Sequence, residues 1–158
     1  MSSAVTPAQA QSLSFADRDI DTIIEALGMK PHPEGGWYAE THRIPSPVGE
    51  RSPGTAIYYL LKGGPAARWH RVDATEVWHH YAGGPLALSI VGEDGQTRTH
   101  ALGKDIGKGE RPQVIVPPHA WQAAQALGAW TLCGCTVSPG FEFEKFEMAP
   151  EGWSPPAK

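Results

Sequence analysis

Residues 68–83 read RWHRVDATEVWHHYAG and set His70, Glu76, His79 and His80 among two tryptophans and a tyrosine. The stretch reads as a metal site, as an acid–base site, or as a pair of half-buried strands that contains histidines. Side chains alternate along a strand, so over residues 76–81 Glu76, Trp78 and His80 face one way and Val77, His79 and Tyr81 the other. His70 and Val72 share a face of the preceding strand in the same way. The outward side makes His79 a surface or interface residue.

The surroundings fix the fold class. Upstream, SFADRDIDTIIEALGM reads as one amphipathic helix over about residues 17–28. Ile20, Ile23, Ile24 and Leu27 form a single apolar stripe. Ser14 is the candidate N-cap with Asp17 in a capping-box-like position, and Gly28 is the C-terminal stop. After residue 30 the helical period disappears. The chain's 18 glycines and 15 prolines punctuate short β-rich runs such as GTAIYYLLK, EVWHHYAG, PLALSIVGE, RPQVIVP and AWTLCGCTV. Many short strands separated by turn signals mean a sandwich or barrel. In FEFEKFEM the apolar phase slips near Lys145, which predicts a bulge or bend there.

The 158 residues suit one domain with one core. The organisation read from the sequence is a flexible tail over 1–13, a domain over 14–153 and a short tail over 154–158. The formal charge of −4 argues against a nucleic-acid surface. No apolar run reaches the 18 or so residues that span a membrane, and the N-terminal stretch lacks the pattern of a secretory signal. Cys133 and Cys135 are badly spaced for a disulfide and form no zinc-type pair, which fits a reducing cytoplasm.

From Gly64 the spacing runs glycine, five residues, His70, one residue, Val72, three residues, Glu76, six residues, Gly83. It resembles the first motif of the cupin superfamily, with Val72 standing where the second histidine belongs. GERPQVIVPPHAWQAA resembles the second motif, with Gln122 in place of its histidine. Together with PHPEGGWYAETHR, TAIYYLL and CTVSPGFEFEKFEMAPEGW, the chain resembles the cupin-5, or DUF985-like, subfamily over roughly residues 20–153. The resemblance implies a mainly β, jelly-roll (RmlC-like) β-sandwich barrel with one short N-terminal helix. It turns His70, Val72, Glu76, Trp78 and His80 into the barrel, with Gln122 joining from a facing strand. It also implies a homodimer, because cupins of this size often pair through sheet edges and open edges need cover.

The chemistry follows from that interior. His70, Glu76 and Gln122 are candidate ligands for a divalent ion. A valine and a neutral amide among them leave a poor donor set, so the expectation is no cofactor or a weakly bound divalent metal ion. Without a metal, the cluster is a small-molecule pocket with acid–base groups. Cupins of the nucleotide-sugar epimerase kind work without a metal through a histidine base and a tyrosine acid, and that resemblance implies His70 or His80 as candidate base, with basicity supplied by Glu76, and Tyr59 or Tyr58 as candidate acid. Trp78, Gln122, Tyr58 and His32 are candidate pocket residues. The expected partner is a small polar or sugar-like molecule. The protein is then an isomerase or epimerase working by proton transfer; the alternatives are a non-catalytic binding protein and a weakly metal-dependent cupin enzyme.

Overall fold

The apolar stripe of the first segment becomes helix α1, Ile20–Leu27, in a computed structural model that describes residues 19–157. Gly28 closes the helix in the left-handed conformation at φ 61°, where its N–H caps Glu25 and Ile24 carbonyls. The N-cap is Asp19, which makes no side-chain cap bond. The expected cap at Ser14, its partner Asp17 and the tail over 1–13 lie outside the described residues.

Eleven strands follow. They are β1 (Lys30–Pro31), β2 (Trp37–Arg43), β3 (Thr55–Lys62), β4 (His70–Val72), β5 (Thr75–Gly83) and β6 (Leu86–Val91), then β7 (Thr97–Leu102), β8 (Gln113–Val116), β9 (Gln122–Ala126), β10 (Trp130–Ser138) and β11 (Phe146–Met148). They form two sheets, ordered β1-β2-β3-β10-β5-β8 and β11-β4-β9-β6-β7, with antiparallel pairing throughout. This is the mainly β sandwich that the turn-punctuated sequence implies. The phase slip near Lys145 is a short 3-10 turn, Phe143–Lys145, immediately before β11.

Alternation decides which residues meet between the sheets. Leu86, Leu88 and Ile90 point inward from β6, opposite Tyr59 and Leu61 of β3, Trp78 of β5 and Cys133 and Cys135 of β10. The other parity of the six-stranded sheet faces α1. Ile23 and Met29 pack there against Leu60 and Leu132, with Tyr58 at the margin. Trp153, beyond the last strand, lies 4.9 Å from Trp121 and 6.2 Å from Trp69, so the chain is folded at least that far.

The connection between β1 and β2 is held both from within and from outside. Residues 32–36 make a tight turn in which the His32 N–H donates to the Gly36 carbonyl at 2.9 Å and the Gly35 N–H to the His32 carbonyl at 3.0 Å. The Arg68 N–H ties the turn to the approach to β4 through the Glu34 carbonyl, at 3.0 Å. Gly36 has φ +74°, and a Cβ there would lie 2.5 Å from the Leu60 carbonyl oxygen. Gly36→Ala should therefore cost about 1–2 kcal/mol from the left-handed backbone alone, and more from the collision. Chemical denaturation of the variant checks this; wild-type stability would show that the turn yields without strain.

Candidate functional site

The sheets border a cavity of about 570 Å³, lined also by α1's C-terminus, the 32–36 turn and the segment before β11, where Phe143 is exposed. His70, Glu34, Glu76 and Tyr59 line its polar part. All four side chains are buried. The walls are largely apolar, supplied by Ile57, Val72, Val137 and three phenylalanines, Phe141, Phe143 and Phe146.

His70 reaches the interior because β4 alternates, and Val72, sharing its parity, forms wall rather than ligand. Its Nδ1 lies 2.6 Å from Glu34 Oε2 and 3.1 Å from the Arg68 carbonyl. The ring N–H is aligned with the carbonyl. Glu34 Oε2 therefore has a close charge contact but no aligned hydrogen-bond donor among the described residues. The Tyr59 hydroxyl donates to the Gly35 carbonyl beside this carboxylate. The Glu34 N–H donates to His32 Nδ1 at 3.1 Å, so the His32 ring accepts on that nitrogen and is neutral there.

A second chain of hydrogen bonds holds the other carboxyl. Trp78 Nε1 donates to Gln122 Oε1 at 2.9 Å, and Gln122 Nε2 donates to Glu76 Oε2 at 2.7 Å. Gln122 and Trp78 are almost completely buried and stand behind the polar floor. Trp78 also meets Tyr59 edge to face at 5.5 Å.

Burial and charge act against each other here. Burial alone would lower the His70 pKa, but the Glu34 carboxylate, with help from Glu76 and the Arg68 carbonyl, raises it to about 9. Burial works to raise Glu34 too; the charge of the adjacent His70 ring outweighs it and holds Glu34 below the usual carboxylate range. Glu76 goes the other way: burial raises it, and His70 only partly offsets the rise. Burial pushes the Tyr59 hydroxyl well up, with the Glu34 charge adding to the effect. Burial likewise raises both Cys133 and Cys135, so neither is a ready nucleophile.

The sequence-derived residues separate accordingly. His70, Glu76, Tyr59 and His32 line the cavity. Trp78 and Gln122 support it from behind. His80 is not among the lining residues. It stands four residues beyond Glu76, roughly 13 Å along a strand, with Trp78 between, and its Nε2 is engaged by the Gly84 carbonyl at 3.1 Å. Tyr58 is turned to the opposite face, 6.2 Å from Tyr81. Glu34 carries no signal in the sequence pattern and is found only through the fold.

The donor set does not fit the metal shell that the superfamily implies. Val72 has no lone pair and Gln122 Oε1 is taken by Trp78, so of the four implied positions only His70, through Nε2, and Glu76 keep a free donor. Among the described residues no three His, Cys, Asp or Glu side chains cluster with the spacing of a metal site.

The two sheets thus close a cupin-like sandwich around a cavity that holds the buried His70–Glu34 pair. Residues 21–149 match the family described as Cupin superfamily (DUF985), Cupin_5, and the chain belongs to it. Protein SO0799 of Shewanella oneidensis is 34% identical, with a TM-score of 0.78 over 84% of this chain and 85% of that one. The Saccharomyces cerevisiae protein YML079W, described as uncharacterized, is 28% identical over 146 residues, 79% of this chain and 72% of its own length. Oxalate decarboxylase of Bacillus subtilis shares the fold, with a TM-score of 0.59 at 19% identity over 75% of this chain and 29% of the enzyme.

The raised His70 pKa has a consequence for stability. A histidine at 6.5 in the unfolded chain and about 9 when folded binds its proton more tightly in the native state. Its contribution is complete below pH 6.5 and is lost as pH rises towards 9. Wild-type stability should fall across that window, and Glu34→Gln should flatten the fall, as measured by denaturant unfolding at stepped pH. An unchanged slope in the variant would remove Glu34 as the cause.

Proposed function

We propose that the protein binds a small organic molecule in the barrel cavity and moves a proton on it without a metal ion. The observation that carries this reading is the buried His70–Glu34 pair facing the cavity. His70 makes no hydrogen bond through Nε2 among the described residues, which leaves that nitrogen for a ligand.

The charge state assigns the roles. With a pKa of about 9, His70 is an imidazolium at neutral pH, so it acts as the acid rather than as the base expected from sequence. Glu76, raised by burial, is the better proton acceptor. The step is an enolisation: the ligand's Cα–H bond breaks, its proton passes to a Glu76 oxygen, and the Nε2 proton of His70 passes to the carbonyl oxygen. Return of a proton to the other face or to the neighbouring carbon gives an epimer or an isomer. Glu34 stabilises the charged form of His70 and positions it, while Gln122 and Trp78 fix the Glu76 carboxyl.

The test is deuterium incorporation. Carbonyl compounds with an exchangeable α-hydrogen, from hydroxyaldehydes to aryl ketones, are incubated with the protein in heavy water and read by mass spectrometry. Exchange is expected for at least one, with His70→Gln and Glu76→Gln each lowering its rate about 100-fold or more. A ligand that binds without exchanging would make this a binding protein instead.

The same reading includes a homodimer. β8 is an edge strand of the six-stranded sheet, and Ile115 on it is exposed. Unpaired edges and exposed apolar residues favour edge pairing. Light scattering at micromolar concentration should give twice the 17.0 kDa chain mass; a monomer mass would contradict it.

A further inference from the structure

The aromatic residues at the cavity mouth narrow the kind of molecule it takes, if the reading of the cavity as a ligand site is right. Phe141, Phe143 and Phe146 come from one segment and contact one another edge-on at 4.9 to 6.3 Å. His32 and Tyr38 complete the group, with the His32 and Phe143 rings 6.0 Å apart and the Tyr38 and Phe143 rings 6.3 Å apart. Phe143 is nevertheless 48% exposed on the short turn before β11. A large aromatic ring that borders a cavity and remains half in water is suited to close on the flat or apolar body of a ligand.

The floor sets the other end of the ligand. His70 carries a positive charge and Glu34 a negative one, 2.6 Å apart. Farther out, Lys30 and Glu40 repeat the same balance among the lining residues. Glu76 adds a carboxyl that already accepts from Gln122. A carboxylate head would enter beside Glu34 and Glu76, and an ammonium head beside His70. Either meets a like charge in a buried place, where the cost is high. An uncharged group that accepts from His70 Nε2 meets neither.

We propose that the cavity takes an amphipathic molecule with an uncharged, carbonyl-bearing head on the His70 floor and a planar or alicyclic apolar body against Phe141, Phe143 and Phe146. This differs from the polar, sugar-like molecule suggested by the sequence, whose hydroxyls would find few partners on these walls.

Four probes of matched size separate the alternatives: phenylacetamide, phenylacetate, 2-phenylethylamine and glucose, each followed by saturation-transfer NMR and titration against the full chain. Phenylacetamide should bind at least tenfold more tightly than the two charged analogues, and glucose should show no transfer. Phe143→Ala, which changes a half-exposed side chain and leaves the floor intact, should weaken phenylacetamide several-fold without altering the melting temperature by more than a degree or two. Equal binding of the charged analogues, or binding of glucose alone, overturns the proposed ligand class while leaving the cavity a ligand site. Absence of binding by all four overturns the ligand class. Loss of deuterium exchange, read separately, bears only on the proton-transfer reading.

Discussion

The arrangement depends on one buried contact, that between the His70 imidazole and the Glu34 carboxylate, 2.6 Å apart inside a β-sandwich. Neither group would tolerate its place alone. Removing one partner of such a pair leaves an uncompensated charge and typically costs about 3–5 kcal/mol. A pair of this kind is weak evidence for stability as such. A well-packed apolar substitute is often as stable, and the proposed function gives the pair its role at the cavity.

Most of the local architecture can be traced to holding that contact in register. The Gly36 turn carries Glu34 into the barrel mouth and is tied to Arg68, two residues before His70. Tyr59 holds the Gly35 carbonyl from the sheet below. On the far side Trp78, Gln122 and Glu76 form a second fixed line, with His70 opposite Gln122 in the β4–β9 register. The sandwich supplies two rigid walls, and one irregular turn completes the site. Loops placed on a rigid scaffold are where such groups usually come from.

That division explains which residues the sequence pattern reveals. Strand alternation puts His70, Val72, Glu76 and Trp78 on the inner face, and β6 follows the same rule with Leu86, Leu88 and Ile90. Alternation says which side a residue faces but not how deep it lies along the barrel, and the pocket position expected for His80 fails for that reason. Tyr58 and Tyr59 can be set on opposite faces by parity, but only the packing of α1 over Leu60 shows which face is outer. Glu34 has no periodic signal. It sits in PHPEGGW, where Pro33, Gly35 and Gly36 mark a turn, and nothing in the spacing joins it to a histidine 36 positions later. The charge state of His70 is likewise not legible in the spacing, since the carboxylate that raises its pKa is Glu34.

The most direct measurement is a titration of the His70 ring nitrogens by ¹⁵N NMR in the intact protein. A midpoint near 9 is expected, with Nε2 protonated at neutral pH and the midpoint moving down in Glu34→Gln. A midpoint at or below the ordinary 6.5 in the wild-type chain would contradict the ion pair and, with it, the assignment of His70 as the acid.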